Sequence, residues 1–213
     1  MASDVDICNL ALAHLGDTAS VASIDPPEGS VQAALCSRFY PIARDSLMEQ
    51  HTWGWATKRV ALAILPNYST EWDYAYAQPS DALNIVAILP PLSSDDYALG
   101  GTIPGTGSYI PQEYECETDL GGNDIILTDQ ADATLRYTGV VSDTTKFSPL
   151  FIETLAWKLA AMLAGPVLKG EAGAAEAKRC EQMAQLCLRN AIASDASQRR
   201  VRPNPIVGWM KNR

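Results

Sequence analysis

The stretch from residue 30 to 62 changes its hydrophobic period part way along, and this change constrains the fold more than any other feature of the sequence. Apolar residues first recur at three- and four-residue spacing, at Val31, Leu35, Phe39 and Ile42. This spacing predicts one face of a helix that begins after Ser30 and is kinked or briefly broken near Pro41. From Trp53 the period shortens towards two, which indicates a strand.

The remaining patterns predict helices at both ends of the chain and strands between them. Ser3 and Ser148 each precede a helical pattern, and a second C-terminal helix is predicted over 171–192. Alternation or β-branched runs predict strands near 72–76, 81–89, 113–117, 124–128 and 133–141. We therefore predict an α+β fold in which N-terminal helices (1–52) and C-terminal helices (144–195) form a bundle. A small, mostly antiparallel β domain (53–143) is inserted between them, and an extended arm (196–213) follows.

Charge is divided unevenly along the chain. The net charge is −9, yet residues 60–135 contain twelve acidic residues and no Lys or Arg, whereas residues 136–213 carry a net charge of +6. The middle region should therefore repel nucleic acid, and the C-terminal end could meet an acidic surface. Three carboxylates of the middle region, which we call the acidic triplet, alternate along one predicted strand: Glu113, Glu115 and Glu117. We expect them to face solvent or a channel.

Motifs that carry chemistry are mostly missing from the sequence. The five cysteines form no CxxC pair and there are only two histidines, so metal-ligand spacing is absent and we expect neither a metal nor another cofactor. The glycine-rich GGTIPGTG lacks the Lys-Ser/Thr of a nucleotide loop. One nucleophile set is conceivable, comprising Cys36, His51 and Asp45. The acidic N-terminus predicts no signal peptide, and no apolar run approaches the ~18 residues of a membrane span, so we expect a protein made in the cytosol.

Three segments resemble the podovirus tail tubular protein A family of phage head-tail adaptors. They are ICNLALAHLG, then YPIARDSLMEQHTWGWATKRVALA with WDYAYAQPSDAL, and finally LRYTGVVSDTTKFSPLFIETLAWKLAAMLAGPVL. The matching positions are Tyr40, Pro41, Ala43, Arg44, Trp53, Tyr76, Pro79, Asp81, Tyr137, Asp143, Phe147, Phe151, Leu159 and Ala160. The family's His-Pro-Trp corner appears here as His51, Thr52 and Trp53, a departure that affects only the local turn.

The resemblance implies a structural protein of the virion rather than an enzyme. It implies a homododecameric ring at the head-tail interface, below the portal protein and above the tail nozzle protein, through which duplex DNA passes without specific binding and with no membrane involved. Two alternatives from other classes stay open. One is a small cytosolic enzyme that uses the His51 corner, and the other is a nucleic-acid-binding module that uses the basic C-terminus.

Two groups of residues are predicted to make contacts between chains. The nearly all-apolar run 151–164 needs cover on more than one side, so we expect neighbouring subunits to pack on Phe151, Leu155 and Leu159. The C-terminal arm is basic and carries a Trp among aliphatic residues, which predicts docking on the portal or on an adjacent adaptor. Its interface residues are predicted to be Arg199, Arg200, Arg202, Ile206, Val207, Trp209 and Met210.

Overall fold

The computed structural model describes residues 2–18, 20–67, 69–91 and 112–198. In this part of the chain it contains four α-helices and two small antiparallel sheets, which confirms the predicted α+β class. The described residues divide into two compact units. Residues 2–56 and 140–198 form the helical unit, and residues 57–139 form the β unit, which contains every named strand.

The helical unit is organised around its third helix. The helices are α1 (Asp4–His14), α2 (Val31–Glu49), α3 (Pro149–Leu168) and α4 (Gly170–Gln198), and α3 contacts each of the other three. Ser3, Ser30 and Ser148 accept hydrogen bonds from the backbone N–H groups of the first turns of α1, α2 and α3. These N-caps satisfy donors that would otherwise lack partners, so the predicted helix starts are confirmed.

Helix α2 is continuous from Val31 to Glu49 and includes Pro41, so the break predicted near Pro41 is not present. Its buried face is not the predicted apolar line. The core-facing residues are instead smaller on average: Ala33, Cys36, Tyr40, Ala43 and Leu47, with Met48 beside them. This face combines the small Ala33, Cys36 and Ala43 with the larger Tyr40 and Leu47, and the predicted apolar line lies outside it.

In the sequence, Gly165 and Pro166 predict the end of this helix, but both lie inside the last turns of α3, which ends at Leu168. The reversal comes at Lys169, where φ is +57°. The next helix then packs closely, since a Cβ on Gly173 would lie 2.9 Å from the carbonyl oxygen of Ala164. The spacing of small residues along α4 predicts one line for close helix packing, and this line is largely buried: Cys180, Ala184, Cys187 and Ala191 are buried and Ala177 is half-buried.

By length and composition alone, α3 could cross a membrane, so the expectation that no run in the chain reaches this length is wrong. The helix has 20 residues with a mean hydropathy of 1.4 in its most apolar window. Eight of its side chains are buried in the helical unit, among them Phe151 and Leu159. A buried core helix has the same composition as a membrane span, so this is weak evidence of a membrane.

The β unit consists of two sheets that share one core. The strands are β1 (Thr57–Ala61), β2 (Ile64–Leu65), β3 (Tyr74–Ala77), β4 (Ala82–Leu89), β5 (Glu115–Thr118), β6 (Asp124–Thr128) and β7 (Thr134–Gly139). They pair in the orders β1-β7-β4 and β2-β3-β6-β5. Tyr76 and Ile126 of the four-stranded sheet pack in one cluster with Ile88, Leu135 and Tyr137 of the three-stranded sheet.

The strand expected from Trp53 begins only at Thr57, after a 3₁₀ turn over Gly54–Ala56.

Candidate assembly interface

Helix α2 carries an apolar line on its exposed side, which we call the outer stripe. It consists of Val31, Leu35, Phe39 and Ile42. Val31 is 72% exposed and Ile42 is 53% exposed, whereas Leu35 and Phe39 are half-buried. Large apolar side chains at helical spacing on an outer face are typical of a surface that a partner covers. The sequence identified this line correctly as one helical face.

The predicted subunit-packing residues do not lie on a surface. Phe151, Leu155 and Leu159 are each 0% exposed within the chain's own helical unit. Phe151 lies in an aromatic cluster, with its ring centroid 5.1 Å from that of Trp53 and 4.9 Å from that of Trp55. The prediction that neighbouring subunits cover these three residues is therefore wrong. Helices α1, α2 and α4, together with Trp53 and Trp55, already cover α3.

Residues 51–56, which follow α2 and which we call the aromatic corner, are held by hydrogen bonds. The indole N–H of Trp53 donates to the carbonyl oxygen of Leu47 at 3.0 Å. The carboxylate of Asp195, near the end of α4, accepts from the backbone N–H of Gly54 at 3.1 Å and lies 3.2 Å from His51 Nε2. The corner therefore fixes the last turns of α4, a role of Asp195 that local sequence patterns did not reveal.

The conceivable nucleophile set is not assembled. His51 pairs with Asp195, and the Asp45 carboxylate instead accepts from Arg44 Nε at 2.7 Å. Cys36 is 0% exposed and lies beside Cys8. A hydrogen bond with Cys36, together with burial, raises the pKa of the Cys8 thiol. The three predicted side chains thus have different partners, and Cys36 is closed to solvent.

The acidic triplet is exposed, as predicted. Glu115 and Glu117 lie on the edge strand β5, and Glu113 lies just before it. The expected alternation is incomplete, because Cys116 on the same strand is exposed too. The indole N–H of Trp72 donates to Glu115 Oε2 at 3.2 Å. Whether the acidic triplet lines a channel stays a prediction.

A cleft of about 610 Å³ crosses one face of the four-stranded sheet, and we call it the acidic groove. Its floor consists of Leu65, Ala75, Ile125 and Leu127. Ala75 pairs with both Leu65 and Leu127 in the strand register, so their side chains lie in one row. Glu117, Asp119 and the 107%-exposed Leu120 form its rim on the β5 side. An apolar floor with a carboxylate rim suits a ligand that is both apolar and cationic.

Two positions of the family resemblance meet in the β unit. Asp81 accepts a hydrogen bond from the Tyr137 hydroxyl at 3.0 Å and forms an ion pair with Lys58 at 2.5 Å. The Lys58 hydrogen bond, supported by Tyr137, lowers the pKa of the Asp81 carboxyl below its usual 3.8. This network ties β1, β7 and the start of β4 together, so these positions stabilise the sheet.

The predicted C-terminal interface residues and the GGTIPGTG loop fall within 199–213 and 92–111, which lie outside the described residues. The structure does correct the start of the predicted arm, because residues 196–198 belong to the last turn of α4.

Among the described residues, no group of three or more His, Cys, Asp or Glu side chains is arranged to hold a metal ion. Neither the models of known protein families nor the curated proteins give a match to this chain.

Proposed function

We propose that this protein is a structural head-tail adaptor of a tailed phage, which forms a homododecameric ring between the portal protein and the tail nozzle protein. The observation that carries the proposal is the outer stripe. A soluble helix would normally present polar side chains there, but α2 exposes Val31 and Ile42, with the half-buried Leu35 and Phe39 between them. Such a surface supports association with other chains, as the resemblance to the adaptor family implies.

The charge of residues 60–135, which make up most of the β unit, supports a passive role towards DNA. Residues 60–135 supply no cation that could neutralise a phosphate, and the acidic triplet is exposed. A ring repeats this charge in every copy, so an acidic wall would repel duplex phosphates and allow DNA to slide past. In this proposal the protein works in the virion and meets its partners first in the host cytoplasm.

Native mass spectrometry of the purified protein mixed with the portal protein of the same phage tests the proposal. We expect the free protein to be monomeric or weakly associated and to form rings of twelve on the portal. Ile42→Glu should reduce ring formation, because it places a charge in the outer stripe. Leu186→Glu on α4 is the matched control, since Leu186 is 52% exposed and lies outside that stripe.

Two outcomes would count against the adaptor. One is a protein that never binds the portal, and the other is a stable dodecamer that forms without it. A chain truncated after Gln198 retains all four helices and should fold but no longer assemble on the portal. Trp209→Ala should weaken assembly by more than ~1 kcal/mol, as expected for an aromatic anchor at an interface. Full ring formation by the truncated chain would show that residues 199–213 are not needed.

A further inference from the structure

The acidic groove has an apolar floor on the face of the sheet that turns away from the core of the β unit. Antiparallel sheets usually present polar side chains on that face. Here Tyr76 and Ile126 point into the core, and the alternate residues Ala75 and Leu127 form the floor of the groove. Ala75 is 2% exposed and Leu127 is 3% exposed, although the groove above them is open. The apolar surface that an occupant could contact therefore belongs mainly to the half-buried Leu65 and Ile125, with Ala75 and Leu127 lying deeper.

The rim of the groove is anionic. The hydrogen bonds that Asp119 accepts from Asn123 lower the pKa of the Asp119 carboxyl, so it is charged at neutral pH. Glu117 lies on the same side of the groove, and Glu115 lies in the same row as Leu127. Because residues 60–135 contain no Lys or Arg, no cation of that stretch neutralises this rim. An occupant with positive charge would gain from these carboxylates, and a negatively charged one would be repelled.

The chain itself contains a segment with the complementary chemistry. Residues 199–213, which we call the C-terminal segment, contain five basic residues and no acidic one. They also contain two prolines, at 203 and 205, which predict an extended course, and the apolar run Ile206, Val207, Trp209 and Met210. Fifteen extended residues span up to roughly 50 Å, so the segment can extend far beyond the end of α4.

We propose that the acidic groove binds the C-terminal segment of a neighbouring copy of this chain, with Trp209 and its aliphatic neighbours on the apolar floor and the basic residues beside the carboxylate rim. The proposal rests on the self-assembly in the proposed function and names the surface that receives the segment. The basic residues supply orientation and encounter rate, and the aromatic anchor supplies most of the affinity.

Photocrosslinking between isotopically distinct full-length chains tests this contact. One population is unlabelled and carries p-benzoylphenylalanine in place of Trp209, and the other is uniformly ¹⁵N-labelled wild type. The two are mixed in equal amounts, irradiated at increasing protein concentration and analysed by mass spectrometry. We expect unlabelled peptides containing position 209 to be joined to ¹⁵N-labelled peptides from residues 64–75 or 117–127. The yield should rise with concentration, as expected for contact between chains.

Charge variants of the labelled partner test the rim separately. Glu117→Lys and Asp119→Lys together should lower the yield of the mixed crosslink about tenfold, which corresponds to ~1.4 kcal/mol. Asp73→Lys is the matched control, because Asp73 is an exposed carboxylate of the same unit that does not line the groove. Added salt should reduce the wild-type yield towards that of the rim variant.

Crosslinks only to unlabelled groove peptides would place the segment in the groove of its own chain and overturn the proposal. Crosslinks to other surfaces, or none at any concentration, would also overturn it. The crosslinking assay contains no portal protein, so its result does not depend on whether the protein binds a portal. A mixed crosslink in a protein that ignores the portal would refute the adaptor role alone, and a portal ring without the crosslink would refute the groove contact alone.

Discussion

Leu159→Ala should destabilise the single chain, and it should not act by weakening contacts between chains. Leu159 is 0% exposed and lies on α3, the helix that contacts the other three. Replacing it with alanine removes three buried carbons and leaves a cavity that the surrounding helices fill only in part. Fully buried Leu→Ala changes cost roughly 2–5 kcal/mol, and the position of Leu159 at the centre of the unit favours about 3–4 kcal/mol.

Thermal unfolding followed by circular dichroism at 222 nm measures this change in the relevant part of the protein, because all four described helices belong to the helical unit. A chain of 213 residues that unfolds as one cooperative unit loses roughly 2–4 °C of melting temperature per kcal/mol, so Leu159→Ala should lower the Tm by about 6–16 °C. The shift should be the same at two protein concentrations that differ tenfold. Leu186→Ala, at an exposed position of α4, should change the stability by no more than about 0.5 kcal/mol.

The concentration dependence distinguishes a core residue from an interface residue. If Leu159→Ala melted like the wild type when dilute, and lost stability only in assembled rings, the assignment of Leu159 to the core of one chain would be refuted. Such a result would instead support the prediction from the sequence that neighbouring subunits pack on Leu159.

Two further predictions concern the β unit. Replacing all three members of the acidic triplet with Gln should leave the fold intact and change stability by no more than about 0.5 kcal/mol per site, and a large fall in melting temperature would show that they are not solvent-exposed. Asp81→Asn should speed hydrogen exchange in β7 at pH 7, because the ion pair with Lys58 is lost. Since the folded-state pKa of Asp81 is lowered, the stability it provides is present above pH 3.8 and is lost as the pH falls further. The difference between variant and wild type should therefore shrink below pH 3.8, and a constant difference would argue against the ion pair as its cause.

Features that depend on a few neighbouring residues could be predicted from the sequence. Ser3, Ser30 and Ser148 each accept the hydrogen bond expected of an N-cap, because capping involves only the next turn of the same helix. Six of the seven strands overlap strands predicted from alternation or β-branched runs, whereas the two-residue strand β2 was not predicted. These local signals were enough to establish the α+β class.

Features that depend on distant partners could not be predicted. Helix α2 contains two apolar lines at the same spacing, one through Val31 and Ile42 and one through Ala33 and Ala43. Periodicity identifies both, but only the neighbouring helices determine which one is buried. The floor of the acidic groove is a similar case, because Leu65, Ala75 and Leu127 become neighbours only through the pairing of three strands.

The groove contact determines the kind of symmetry that an assembly can have. If a segment of one copy binds a groove on the next copy, the two partners use different surfaces, and the contact is head-to-tail. Repeated head-to-tail contacts close into a ring when the rotation between copies closes, and otherwise they continue as a filament. A template with fixed symmetry would favour the closed form. Groove binding by the C-terminal segment therefore fits a protein that assembles weakly alone and forms a ring of fixed size only on its portal, with the outer stripe available as a second contact that sets the rotation.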